Sequence, residues 1–365
     1  MFGWFGRKSA PERPAFVPAW LTSEGETGGF ARGYQAQLDE VYRRNPVGLR
    51  AVRLVSGLVG GLPVFGDKKA VELVKADGLL ERAAANLLLH GNAYARLVTD
   101  SHDRPAELHL LRPERVSVVS GADGWPSAYL YRGGGQPVRI ARDDALGRRQ
   151  VAHLKALDPS DDHYGLGCLE AACPAASVHN RATRWNKALL DNAARPSGAL
   201  VYEPGDGSSL GQEQFDRLQK ELGEQFAGSA NAGRPLLLDG GLKWQALGLS
   251  PADMDFVAVK EGAARDIALA FGVPPVLVGL PGDATYANAR EAGRALYRQT
   301  ILPMAEAMLA GLAEMLSDWP GPVRIEVDTD RISELAEDRA RLWQSVGGAE
   351  FLTREEKREQ LGFEA

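Results

Sequence analysis

Residues 168–194 read CLEAACPAASVHNRATRWNKALLDNAA. Within them Val178, Ala182, Trp185 and Leu189 recur at i, i+4, i+7 and i+11, the period of a single helix face. The stripe is narrow, because His179, Arg181, Arg184, Lys187 and Asp191 occupy the remaining surface. One helix over this range spans roughly 40 Å at about 1.5 Å per residue, and PSGA at 196–199 ends it. A second helix of the same character begins at SPADMDF: Ser250 suits an N-cap, Pro251 the first helical position and Asp253 the positive helix end. It runs to about residue 271, with Val257, Ala264, Ile267, Ala268 and Phe271 on one face. Between the two lies a small insert: strand ALVYE, turn PGDGSS, an amphipathic helix over 211–226, then GSANAG, strand PLLL, turn DGG and strand LKWQAL. The helices bracket it and can lie antiparallel. Stripes this narrow are too little for the core of a monomer and suit helices packed between subunits.

Upstream, residues 1–33 are rich in Pro, Gly and charge and read as a flexible arm. Trp4, Phe5, Phe16 and Trp20 are unusual in a free tail; they dock either on a neighbouring subunit or on the arm's own domain. A helix over 46–60 carries Val47, Ala51, Leu54, Val55, Leu58, Val59 and Leu62 on one face, and Pro46 fits its first turn. A second covers 79–90, with Leu80, Ala83, Ala84, Leu87 and Leu88 together and Gly91 breaking it. From 93 to 157 the period becomes two: AYARLVT, ELHLL, RVSVVS, SAYLYR, PVRIAR and VAHLKAL read as a meander, with GADGWP and RGGGQP as hairpin turns. The fold class is therefore α+β. Downstream, Pro274, Pro275 and Pro281 make 274–288 a loop of functional length. A helix over 288–317 follows with a kink expected at Pro303, then strand VRIEVD at 323–328 and a charged helix over 330–346. Near the end Thr353 and Glu356 form a capping box, and Gly362 closes the turn.

The chain has 365 residues, 44% hydrophobic and 25% charged, which excludes global disorder. Its formal net charge of −6 argues against a protein that wraps DNA in a basic surface, though not against one past which DNA slides. No uninterrupted run of about 18 apolar residues occurs, so no membrane span is expected. Cys168 and Cys173 lack a second ligand pair, so they read as buried small residues rather than a zinc site or disulfide framework. There is no phosphate-binding G-x-x-x-x-G-K-[ST], no H-E-x-x-H and no G-x-S-x-G. The acidic pairs Asp143–Asp144 and Asp161–Asp162 allow a magnesium-dependent nuclease or terminase-like enzyme as an alternative, but solvated turn residues are the commoner use. His153, Asp158 and His163 are close in sequence with no nucleophile beside them. A membrane pore-former, resting on helix 46–60 and the aromatic arm, is the other alternative. No catalytic residue, metal site or cofactor is expected.

The order of several segments resembles the portal proteins of tailed bacteriophages and gene transfer agents, in the long-tailed phage family. NPVGLRAVRLVSGLVGGLPVF, LLLHGNAYARL with Gly91, Asn92, Ala93 and Tyr94, LHLLRPERVSV, NAARPSGAL, ANAGRPLLLDGGLKWQALGLSPADMDF, FGVPPVLVG with DATYANAREA, and LTREEKREQLGF carry the likeness over about 40–365. Two positions depart from the pattern: Ala193 replaces the usual Gly and Glu355 the usual Asn. The resemblance implies a flexible arm (1–33), an α+β wing (34–167), stem helix 1 (168–197), a small α/β clip (198–249), stem helix 2 (250–273), a tunnel loop (274–288), a kinked wing spine helix with its strand (289–328) and a short crown (329–365). It implies a non-enzymatic homo-dodecamer at one capsid vertex, located in the virion and assembled in the host bacterial cytoplasm. Double-stranded DNA would pass along the axis during packaging and ejection. The terminase large subunit, then the head–tail adaptor, would dock on the clip, and the major capsid protein would surround the ring. The short C-terminus and the Ala/Arg/Gly-rich composition point to a gene transfer agent or small-genome phage.

On that likeness the channel residues are Gly282, Asp283, Thr285, Tyr286 and Asn288, with Asp283 the one charge between Gly279 and Asn288. Thr285 and Asn288 have a second reading, as caps of the following helix. Arg181, Arg184 and Lys187 either face DNA or pair with Asp253, Asp255 and Glu261 of a neighbouring stem. Pairing is favoured, since a twelvefold basic ring would grip a sliding duplex. Clip docking candidates are Gln214, Arg217 and Glu221, with Phe215, Leu218 and Leu222 as the insert's own core.

Overall fold

The computed structural model describes residues 33–191, 198–202, 211–214, 216–217, 220, 242–246, 256–280, 285–319 and 321–362. The expected arm apart from Gly33, the PLLL strand and the Ser250 cap lie outside these residues. By internal contact the chain divides into two units, 174–267 and the remainder.

In the larger unit a short helix α1 (Tyr34–Leu38) runs through a π turn, Asp39–Arg43, into α2 (Pro46–Gly60). Asn45 starts α2: its side-chain oxygen accepts from the Val47 and Gly48 N–H groups, each at 3.0 Å. Ala51, Val55 and Val59 are fully buried, and α2 packs on α4 (Leu79–His90). Between them lie β1 (Val64–Gly66) and α3 (Lys68–Lys75). The sequence reading assigned no helix to 68–75, although Ala70, Leu73 and Val74 fall on one helical face and are buried.

The strands fall almost where the alternation places them: β2 (Asn92–Thr99), β3 (Pro105–Leu111), β4 (Val116–Ser120), β5 (Pro126–Tyr131), β6 (Val138–Ala141) and β7 (Val151–Lys155). They do not form one meander. β4-β5-β6 is a meander, but β7 returns to β2, giving a second antiparallel sheet of order β3-β2-β7. Alternation decides which side chains share a face and not which strand is the partner. The two sheets share one core of Tyr94, Leu111, Val116, Val118, Tyr129, Ile140, Val151 and Tyr164, where the Tyr164 hydroxyl accepts from the Val118 N–H at 2.8 Å.

In the smaller unit, α5 begins just before the boundary (Leu169–Asp191) and α6 (Phe256–Ala270) ends just past it. Between them β8 (Gly198–Tyr202) pairs antiparallel with β9 (Leu242–Ala246), and Gln212–Gln214, Asp216, Arg217 and Lys220 are helical.

Back in the larger unit, the segment read as a loop over 274–288 holds a 3-10 turn, Pro275–Val278, closed by Gly279 at φ 81°. The long helix starts at Tyr286, two residues earlier than expected. It runs as α7 (Tyr286–Leu296), a π turn (Tyr297–Ile301) and α8 (Leu302–Ser317). The interruption near Pro303 is therefore a π turn that ends two residues upstream: the Leu302 N–H reaches back to the Tyr297 carbonyl. Pro303 falls at the second position of α8, where a missing N–H costs least. By length and composition alone Tyr286–Ser317 could cross a membrane, although charged residues interrupt it. Its Leu296, Ile301, Met308, Leu312 and Met315 are instead buried in the unit's core. β10 (Ile325–Val327) pairs antiparallel with β1. The charged helix α9 (Ala336–Gly348) starts later than residue 330, after two 3-10 turns. α10 (Arg354–Gln360) carries the Thr353–Glu356 capping box, and Gly362 takes φ 84°.

Candidate functional site

The segment around Thr285 is built by its cap. Thr285 Oγ1 accepts from the Asn288 N–H at 3.2 Å, so the capping reading of that residue holds. Tyr286 and Asn288 lie in the first turn of α7 rather than in the loop. Both are exposed, Tyr286 at 84%. A capped helix end thus presents an aromatic phenol and an amide beside the loop. Gly282 and Asp283 lie outside the described residues.

Further along this helix is a feature the sequence reading missed. Arg290, Arg294 and Arg298 stand at i, i+4 and i+8 and meet two successive acids in the first turn of α9. Arg290 pairs with Glu337 at 2.9 Å, Arg294 with Glu337 at 2.7 Å and with Asp338 at 3.6 Å, and Arg298 with Asp338. Glu291 adds a contact to Arg294 at 3.1 Å. The Arg294 side chain is only 9% exposed, so its pairing is screened little by water. The acids also sit at the positive end of α9, where negative charge is favoured. The i, i+4 spacing was visible in sequence, but the partner Glu337 lies 43 residues away from Arg294.

In the smaller unit the Trp185 ring stacks on Phe256 with centroids 6.0 Å apart and 27° between planes. Lys260 lies close enough to His179 to join burial, the larger cause, in lowering its pKa. Residues 179 to 185 thus run against 260 to 256, so α5 and α6 are antiparallel. Arg181, Arg184 and Lys187 are exposed on α5, and Glu261 is half-buried on α6. Val178, Trp185, Val257 and Val259 keep large exposed surfaces, from 40% to 68%. Asp253 and Asp255 lie outside the described residues. In the insert, Gln214 and Arg217 are exposed, and Gln214 Oε1 accepts from the Gly211 N–H at 3.1 Å. Glu221, Phe215, Leu218 and Leu222 are outside the described residues.

The loop carboxylates have structural work. Asp144 accepts from the Leu146 and Arg148 N–H groups at 2.8 and 2.9 Å and from the Arg148 guanidinium, which lowers its pKa. Asp161 accepts from the His163 and Tyr164 N–H groups at 2.7 and 3.0 Å. Among the described residues no three His, Cys, Asp or Glu side chains are grouped to hold a metal. Burial lowers the His153 pKa to about 3 and raises that of Cys168 to about 11. Neither group is tuned for proton transfer near neutrality.

The sequence profile of the phage portal protein family matches residues 48–362. An uncharacterized protein of Rickettsia bellii is 38% identical over 357 residues, covering 92% of this chain and 90% of its own. Among solved structures, chains of a native gene transfer agent virion and of its neck, the latter computed with C12 symmetry, are each 42% identical. They superpose with TM-scores of 0.71 and 0.70, over 95% of this chain and 98% of theirs. An HK97-family phage portal protein from Corynebacterium diphtheriae shares the fold at 16% identity, with a TM-score of 0.54 over 79% of this chain and 94% of its own.

Proposed function

This chain belongs to the phage portal protein family, and on that footing we propose that twelve copies form the ring in the neck of a gene transfer agent or a small phage, through which double-stranded DNA is packaged and released. One observation carries the reading: 42% identity over 95% of the chain to a neck chain whose structure has C12 symmetry. The exposed apolar positions of α5 and α6 support it. Val178, Trp185, Val257 and Val259 on an antiparallel pair are surfaces that a neighbouring copy would cover.

The channel lining is the loop ahead of α7, with Gly282, Asp283 and Thr285, together with Tyr286 and Asn288 in the first turn of α7. A phenol and an amide exchange weak contacts with a moving phosphate backbone, where a row of free cations would hold it. The arginines of α7 and of the π turn after it fit this, because Arg290, Arg294 and Arg298 are already paired with acids. Arg181, Arg184 and Lys187 face the Asp253, Asp255 and Glu261 edge of the next stem. Gln214, Arg217 and Glu221 present the insert to the packaging terminase large subunit and later to the head–tail adaptor, while the major capsid protein encloses the wing. The ring works without catalysis, in the virion after assembly in the host cytoplasm. Electron microscopy and native mass of the purified 39.3 kDa chain test this. A twelvefold particle with an axial hole wide enough for a duplex is expected; a closed particle without a hole overturns it.

A further inference from the structure

A groove of about 290 Å³ opens beside the first described residues, lined by Tyr34, His90, Asp158, Asp161, Leu166 and Glu170, among others. Gly165, Leu166 and Gly167 form part of its lining. The Gly165–Gly167 segment is pressed against the end of α4 so closely that a Cβ on Gly91 would lie 2.2 Å from the Gly165 carbonyl oxygen, and one on Gly167 2.7 Å from that of Leu89. Nothing larger than hydrogen fits at those two contacts, so Leu166 is the one side chain this segment brings to the groove. Leu166 is 48% exposed in the groove, and Leu157, next to the lining Asp158, is 86% exposed.

The rim is acidic. Asp158 and Asp161 each accept turn hydrogen bonds at Oδ1, Asp158 also accepts from the Asp161 N–H, and Glu170 is exposed in the first turn of α5. Among the described residues no lysine or arginine pairs with these three carboxylates.

We infer that the occupant is the chain's own segment Phe30–Arg32, with the Phe30 ring against Leu166 and Leu157 and the Arg32 guanidinium against the Asp158 and Asp161 carboxylates. The upstream residues read Phe30, Ala31, Arg32, Gly33, an aromatic ring and a cation two residues apart, matching an apolar patch beside a carboxylate rim. Tyr34 itself lines the groove, so Phe30 is delivered to its mouth by a tether of at most about 14 Å. So short a tether puts the segment at an effective concentration in the millimolar range, which a neighbour's arm does not match without a closer anchor. Docking there fixes the root of the arm on its own wing, and Trp4, Phe5, Phe16 and Trp20 then reach outward from a defined point.

The full-length chain carrying Phe30→Cys and Leu166→Cys tests this under mild oxidation. An intrachain disulfide forming at least tenfold faster than with Trp4→Cys and Leu166→Cys is expected. Equal rates, or a disulfide found between chains, overturn the proposal, the latter by placing the arm on a neighbour. A second variant needs no added thiols. Phe30→Ser with Arg32→Glu should speed hydrogen exchange at the Gly165 and Cys168 amides at least tenfold while leaving the Val118 amide unchanged. Unaltered exchange at Gly165 and Cys168 also overturns it.

Discussion

Asn92 is fully buried, and its amide ties three segments together. Its Oδ1 accepts from His153 Nε2 at 2.9 Å and from the Gly165 N–H at 2.9 Å, and its Nδ2 donates to the Gly165 and His90 carbonyls at 3.0 and 3.1 Å. With Gly91 at φ 78° and Tyr94 in the core, the Gly-Asn-Ala-Tyr segment is thereby explained as architecture. Asn92→Ala strands at least two buried polar groups at about 1–3 kcal/mol each, so chemical denaturation should read a loss of about 3 kcal/mol. The same network gives a pH dependence. Burial lowers the pKa of His90 to about 4 and of His153 to about 3, from 6.5. Below pH 6.5 the unfolded chain takes up protons that the folded chain refuses, so stability is full above that pH and falls as pH drops toward 4. The denaturation midpoint should fall steadily from pH 7 to pH 4, and His153→Gln should flatten that slope.

At the scale of elements, helix starts and helix couplings separate two kinds of information. Asn45 ahead of Pro46, and Thr353 ahead of Glu356, are local caps that act within one turn. Asn45→Ala should cost about 1 kcal/mol in thermal or chemical unfolding. The α7–α9 ion cluster is not local. Glu337→Gln with Asp338→Asn leaves the nearly buried Arg294 without its charged partners on α9, a loss of about 3 kcal/mol. Limited proteolysis should then cut at 349–352, the link after α9, before it cuts the β4-β5-β6 sheet. The π turn at 297–301 belongs with the non-local features: the sequence announces a disturbance at Pro303, but where the extra residue is absorbed depends on the packing of Tyr297 and Ile301 in the core.

At the scale of the whole molecule, the stripe Val178, Ala182, Trp185 reads as an interface because a single copy buries Ala182 but leaves Val178 and Trp185 40% and 46% exposed. Trp185→Ala should lower the ring fraction seen by native mass at a given concentration and leave the thermal unfolding of the unassembled chain within about 1 kcal/mol. Loss of the monomer's fold with the ring would show that the stripe is core instead. The sequence by itself determined most element types, the α2 and α4 faces, the six strands β2 to β7, the C-terminal capping box and, through its ordered motifs, the family. These depend on period, caps and turns, interactions within a few residues of one another. Only the tertiary structure decided that β7 closes on β2, that helix 286–317 is a core helix with a π turn, that Arg294 finds Glu337 and Asp338, and that Asn92 joins His153 to Gly165. Each is a choice among partners far apart in sequence, and an alternating or helical pattern is equally satisfied by several partners until packing and buried hydrogen bonding select one.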